Sequence, residues 1–340
     1  MAADPDKAMP PPDPSGIMAL STAYWGSQTL ITANRLGIFD LLADGAKSAA
    51  EIAGELGLDA RMTGLFLNAL AGLGLLEKAG ETYANSRASQ VFLNSASPAS
   101  MQNSLRFMDD LYATWGDLER SLRSGEPAKT AESYLGGDET QTRHFVYSMH
   151  DRALAIGRGL VEVVDPGERR RLLDVGGGPG TFSALLTERH PGLSADVLEL
   201  EGVAKVAEQI LAETGAAERV RMIRGDYHTS DFGSAYDMVL MSGMFHRETP
   251  ANCRRLLAKA ADCLEPGGLL VVSDVFADED GTTPAFSALF GITMMLTAPD
   301  GGMHADADVA RWMSDAGFAE VGSRPFPPPM PHRVVTGIRR

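Results

Sequence analysis

Leu172-Leu173-Asp174-Val175-Gly176-Gly177-Gly178-Pro179-Gly180 is the stretch that decides how this chain folds. Charged residues 168–171 precede it, and the apolar run that follows reads as a short buried strand. The strand breaks into glycines and then into residues 181–186, which have helical character. Strand, glycine turn and helix N-terminus set bare backbone N–H groups beside a nucleotide-like ligand. Glycines leave no side chain in the way of that approach. The spacing is not G-x-G-x-x-G, so this is not the dinucleotide fingerprint.

Working outward, residues 194–200 read as the next strand, with Glu199 near its end. A carboxylate there can accept both hydroxyls of a bound ribose. Residues 220–227 form another strand, ending in Asp226 and Tyr227, where this kind of fold receives an adenine amino group. A fourth strand is expected at 236–241. A fifth, at 269–274, follows the turn Glu265-Pro266-Gly267-Gly268, and 320–322 with 334–338 read as a closing hairpin. The fold class is therefore α/β, a Rossmann-like sheet.

The 340 residues suffice for two cores, and 44% hydrophobic content fits a globular chain. No apolar run reaches the roughly 20 residues of a membrane span, and no secretory signal is evident. Cys253 and Cys263 fall in one expected helix, too far apart to bridge, so a reduced, cytoplasmic setting is expected. The net charge of −15 argues against nucleic acid or an anionic membrane as partner. Proline-rich residues 1–14 read as a disordered arm. Residues 15–100 read as a winged-helix domain: helices over 17–42, a capped helix and turn over 48–58, a second helix over 60–73, and a β-wing at 75–83. Between Ser48 and Tyr83 only Arg61 and Lys78 oppose Glu51, Glu55, Asp59, Glu77 and Glu81. Such a head is hostile to phosphate, so dimerisation is expected of it rather than DNA reading. Residues 101–165 read as a helical connector and 166–340 as the Rossmann-like domain.

Asp-Val-Gly-Gly-Gly-x-Gly, the acids at the two following strand ends and the winged helix together resemble the winged-helix small-molecule O-methyltransferases, typified by the caffeic-acid and hydroxyindole enzymes. That resemblance covers nearly the whole chain from Ala19 and implies S-adenosylmethionine (SAM) as cofactor. Asp174, Gly176, Gly178 and Gly180 would hold its amino-acid portion, Glu199 its ribose and Asp226 its adenine end, with Leu200 and Tyr227 also binding it. Ser242 and Gly243 would pass its sulfonium. His246 falls on the family's catalytic base, and Asp274 falls on one acid that orients that base. His304 stands where the second orienting acid belongs, and Arg247-Glu248 replaces the family's Asp-Trp. Tyr147, Met149, His150, Arg152, Arg247 and Met295 match or flank the acceptor pocket. No metal is expected.

These residues imply a SAM-dependent methyltransferase that acts on a small molecule as a homodimer, with the helices of two chains interlocked. Two acceptors stand equally. A hydroxyl, phenolic or polyketide-like, needs His246 as a base. A small thioether acid of the 4-methylthio-2-hydroxybutyrate type, as in dimethylsulfoniopropionate synthesis, needs none, and the loss of a carboxylate to His304 suits it. The reading from another class is a SAM-fold regulator that binds DNA without turnover.

Overall fold

The computed structural model describes residues 12–328 and 330–340, so the expected N-terminal arm lies, through residue 11, outside the described residues. The chain divides into two compact units, Met1–Gln102 and Asn103–Arg340.

In the first unit, helix α1 (Ser15–Leu36) stops at Gly37, whose φ of 73° is the left-handed conformation glycine adopts without steric cost. A single turn, α2 (Ile38–Leu41), follows. Short strand β1 (Lys47–Ser48) leads into α3 (Ala49–Leu56), begun by a capping box. Glu51 N–H donates to Ser48 Oγ at 3.3 Å, and Ser48 N–H donates to Glu51 Oε2 at 2.7 Å. Asp59 caps α4 (Ala60–Gly72). Strands β2 (Leu76–Ala79) and β3 (Thr82–Asn85) pair as the expected wing, β1 adds to β3, and α5 (Arg87–Phe92) follows. Ile38, Phe39, Leu67 and Leu70 are fully buried. Along α1, by contrast, Ile17, Leu20 and Trp25 are 73%, 79% and 60% exposed. An apolar stripe of that kind marks an interface.

The helices α6 (Gln102–Gly116), α7 (Leu118–Ser124) and α8 (Glu139–Val163) lead into the large sheet. It comprises β4 (Arg171–Val175), β5 (Ser194–Glu199), β6 (Val220–Arg224), β7 (Tyr236–Ser242), β8 (Leu264–Val275), β9 (Phe318–Pro325) and β10 (His332–Arg339). Their order is β6-β5-β4-β7-β8-β10-β9; the first five run parallel, and β10 and β9 close the edge antiparallel, as the hairpin reading expects. Helices α9 (Thr181–Arg189), α10 (Glu201–Glu213), α11 (Pro250–Cys263), α12 (Ala285–Thr297) and α13 (Asp306–Asp315) accompany it. Strand alternation sends Leu173, Val239 and Leu270 into a core with Leu257 and Trp312, while Leu172, Leu240 and Val271 pack with Leu160 and Leu186. A sheet buried on both faces needs such near-continuous apolar strands. Strand β8 begins at Leu264, so the expected Pro-Gly-Gly turn falls within its bounds. Strand order reverses between β4 and β7, which opens a crevice at their carboxyl ends.

Candidate active site

The glycine turn wraps closely around Asp174. A Cβ on Gly177 would lie 2.6 Å from that carboxylate, and one on Gly176 would lie 3.4 Å from the Tyr227 ring. Gly176, Gly178 and Gly180 all have positive φ. Asp174 is fully buried; its Oδ2 accepts from Ser183 Oγ at 2.7 Å, and its Oδ1 has no partner. Burial, opposed by the Ser183 hydroxyl and reinforced by Glu199, pushes the Asp174 pKa up to about 7. Glu199, the last residue of β5, accepts from Gly178 N–H at 3.0 Å and Leu200 N–H at 2.8 Å. Burial still raises its pKa. Two buried acids, one with a stranded oxygen, need a cation and hydroxyl donors. The ammonium and ribose of SAM provide both, so the residues present fit the cofactor.

Just past β6, Asp226 Oδ1 accepts from His228 N–H at 2.8 Å, and the Tyr227 hydroxyl donates to Glu248 Oε1 at 2.7 Å. Ser242 ends β7, and Gly243, at φ 68°, donates its N–H to Ser273 O at 2.8 Å. A Cβ on Gly243 would lie 3.9 Å from His246 Cε1, so the turn after β7 and the histidine adjoin.

His246 sits on a 3-10 turn, Phe245–Arg247. Its Nδ1 lies 2.6 Å from Asp274 Oδ1, and its backbone N–H donates to Asp274 Oδ2 at 3.2 Å. Val275 N–H also donates to Asp274 Oδ1. Burial opposes the Asp274 charge, but His246 and these N–H groups outweigh it and hold the carboxyl below its ordinary range. The His246 ring meets Phe290 edge-on at 5.0 Å, and the Arg152 guanidinium lies 5.4 Å from the centre of the same Phe290 ring. Met149 lies half-buried on α8, three residues before Arg152 and so on nearly the same helix face, and Met295 lies half-buried on α12.

Four expected site residues are placed otherwise. His304 does not meet the His246 ring: its Nε2 lies 3.1 Å from Phe245 O and 3.0 Å from Glu248 O, so it braces the turn that carries His246. Tyr147 turns to α10, where its hydroxyl donates to Glu213, and His150 Nδ1 lies 2.7 Å from Thr181 Oγ1 at the start of α9. Helix periodicity is the reason, because residues two and five positions from Arg152 on α8 point away from it. Arg247 donates to the Tyr134 hydroxyl at 3.3 Å, and its charge acts on Glu199 and Tyr227.

Two residues went unassigned in the sequence. Glu248 is buried and accepts from Tyr227, from Asn252 at 2.8 Å, and pairs with His228 at 3.1 Å. An acid standing where the family has an aromatic was a usable signal. His332 is buried beside Phe326, and a lone histidine after a proline-rich turn gave no signal. Among the described residues no cluster of three or more His, Cys, Asp or Glu is placed to hold a metal, and no helix is long and apolar enough to cross a membrane.

Fold and family model together define a class I SAM-dependent methyltransferase. The chain belongs to the O-methyltransferase family: the O-methyltransferase domain matches residues 124–319, and the O-methyltransferase dimerisation domain matches residues 18–95. It is similar to the tetracenomycin polyketide synthesis 8-O-methyl transferase TcmO of Streptomyces glaucescens, 32% identical over 91% of this chain and 92% of that one. It is also similar to the N,N-dimethyltransferase OxyT of Streptomyces rimosus, 32% identical over 78% of this chain and 80% of that one. The solved structure of human N-acetylserotonin methyltransferase in complex with SAM shares the fold at TM-score 0.87 and 22% identity, covering 98% of this chain and 99% of that one.

Proposed function

We propose that this enzyme methylates the hydroxyl of an aromatic, polyketide-like small molecule, with His246 as general base. The observation that carries the reading is the 2.6 Å contact between His246 Nδ1 and Asp274 Oδ1. A carboxylate there takes the Nδ1–H, which fixes the tautomer and leaves the Nε2 lone pair for a proton. SAM, when bound, supplies an electrophilic methyl group on a sulfonium. Asp174 and the glycine turn hold its amino-acid end, Glu199 and Leu200 its ribose, and Asp226, Tyr227 and Arg247 its adenine side. The acceptor ring packs against Phe290, Met295 and Met149, with its hydroxyl toward His246 Nε2. As oxygen gains the methyl group, the hydroxyl proton passes to His246 Nε2, and Asp274 stabilises the imidazolium. Positioning supplies most of the rate.

The thioether alternative loses its ground. It stood on the loss of the second base-orienting carboxylate to His304, yet the first, Asp274, is seated on His246, and His304 serves the backbone. A thioether has no proton to give, so a buried His–Asp pair would stand idle. The names of TcmO and OxyT put both oxygen and nitrogen among the family's acceptors, and a neutral hydroxyl makes fuller use of a base. The exposed stripe on α1 supports a homodimer whose helices interlock.

The test is a screen with methyl-labelled SAM against hydroxyarenes of polyketide type, arylamines and methylthio acids. Label should enter hydroxyarenes. Transfer to amines or thioethers with hydroxyarenes left unlabelled would overturn the reading.

A further inference from the structure

We infer that the acceptor carries an acidic group, of carboxylate type, seated between Arg152 and His332; the inference rests on the acceptor site proposed above. Arg152 reaches from α8 to the face of Phe290, a ring that meets the base His246 in a T-shaped contact at 5.0 Å. Among the described residues its half-buried guanidinium has no hydrogen bond and no ion pair, only the ring beneath it. Asp274 is the acid whose charge acts on it, and both Asp274 oxygens are already committed, to His246 and Val275. A guanidinium drawn out of water without a counter-ion is costly unless a ligand brings one.

His332 supplies the second, independent observation. It is 8% exposed, and its Nδ1 is buried without a partner. Burial and the Arg152 charge push its pKa down to about 4, so the ring is neutral at physiological pH. A stranded lone pair is tolerated better than a stranded N–H, so the proton belongs on Nε2. The ring packs on Phe326, which abuts Gly159 of α8, so its N–H lies by the helix that carries Arg152, whose charge reaches it. Its charge neighbours, Arg152, Asp274 and His246, are the residues around the acceptor. A cation on the face of Phe290 and a neutral N–H donor that feels its charge suit a planar anion attached to an aromatic ring. A neutral phenol would leave both unpaired.

The anion could instead be the carboxylate of SAM, and the experiment separates the two sources. Protein loaded with S-adenosylhomocysteine is titrated calorimetrically with a hydroxybenzoate and a hydroxynaphthoate, each beside its methyl ester. In the wild type at least one acid should bind about ten- to a hundredfold tighter than its ester, the range of one charged hydrogen-bonded contact. Arg152→Met should erase that preference, Arg152→Lys should keep part of it, and His332→Phe should reduce it. SAM affinity should be unchanged in Arg152→Met. Equal binding of acids and esters, no binding of any acid, or a preference surviving Arg152→Met would overturn the subsite. A loss of SAM affinity in Arg152→Met would assign the guanidinium to the cofactor and overturn it too. Turnover is read separately. Acids that bind through Arg152 but accept no label on their hydroxyl would leave the subsite standing and defeat O-methylation.

Discussion

His246 Nδ1 and Asp274 Oδ1 lie 2.6 Å apart, both residues buried, at the carboxyl end of β8 beside the cofactor crevice. Asp274→Asn can no longer fix the Nδ1–H tautomer. We expect kcat to fall about a hundredfold or more, with SAM affinity unchanged, as when an orienting carboxylate is neutralised. Isothermal titration beside steady-state kinetics checks this. Because the folded pKa of Asp274 is depressed, its stabilisation is present above the ordinary carboxylate pKa and is lost as pH falls through the lower folded value.

Asp174 has the opposite sign. Its pKa rises to about 7 in the folded chain, so without cofactor this group costs stability progressively as pH rises from the ordinary carboxylate range to 7. An ammonium against its stranded oxygen favours the ionised form. SAM should therefore bind more tightly as pH rises from about 6 to 8, releasing a proton at the lower end. Calorimetry in buffers of different ionisation enthalpy reads that proton. Asp174→Asn should raise the melting temperature at alkaline pH, weaken SAM binding and remove its pH dependence.

His304 offers one ring nitrogen to the carbonyls of Phe245 and Glu248, which flank His246 in sequence. His304→Ala should cost about 1–3 kcal/mol of stability, the penalty for stranding the Glu248 carbonyl, since the Phe245 carbonyl keeps the Glu248 N–H. It should slow turnover without changing the shape of the pH–rate profile, because the base itself remains. A profile that shifts as strongly as in His246→Ala would show His304 in proton transfer.

The parts legible in the sequence are those that local chemistry writes down. The glycine turn, the acids ending β5 and following β6, and the helix cap at Ser48 each follow from neighbouring residues, and each is in place. The His246–Asp274 pair was reachable only through resemblance, since 28 positions separate the two residues. What failed was side-chain direction. Tyr147, His150 and Arg152 share one helix, yet only helix phase and the packing of α9, α10 and α12 decide which of them faces Phe290. His332 was out of reach because its burial arises from antiparallel pairing of β10 with β8, a contact distant in sequence.

The exposed stripe on α1 predicts an obligate pair of chains. Leu20→Asp with Trp25→Asp should convert a dimer at micromolar concentration into a monomer by sedimentation. If one chain helps to close the acceptor pocket of the other, the monomer should bind SAM yet lose methyl transfer. An active monomer would reject that arrangement.

The central claim is that His246 removes a proton from a hydroxyl acceptor. The most direct test is kcat/KM for the best hydroxyarene from the screen, against pH and at SAM concentrations saturating throughout, for wild type and His246→Ala. A histidine base must be unprotonated to act, so the wild-type rate should fall on the acid side. His246→Ala should lose both that limb and about a hundredfold or more of the rate, with SAM affinity intact. A variant that keeps wild-type turnover to within a few-fold, or retains the acid limb, would contradict the account.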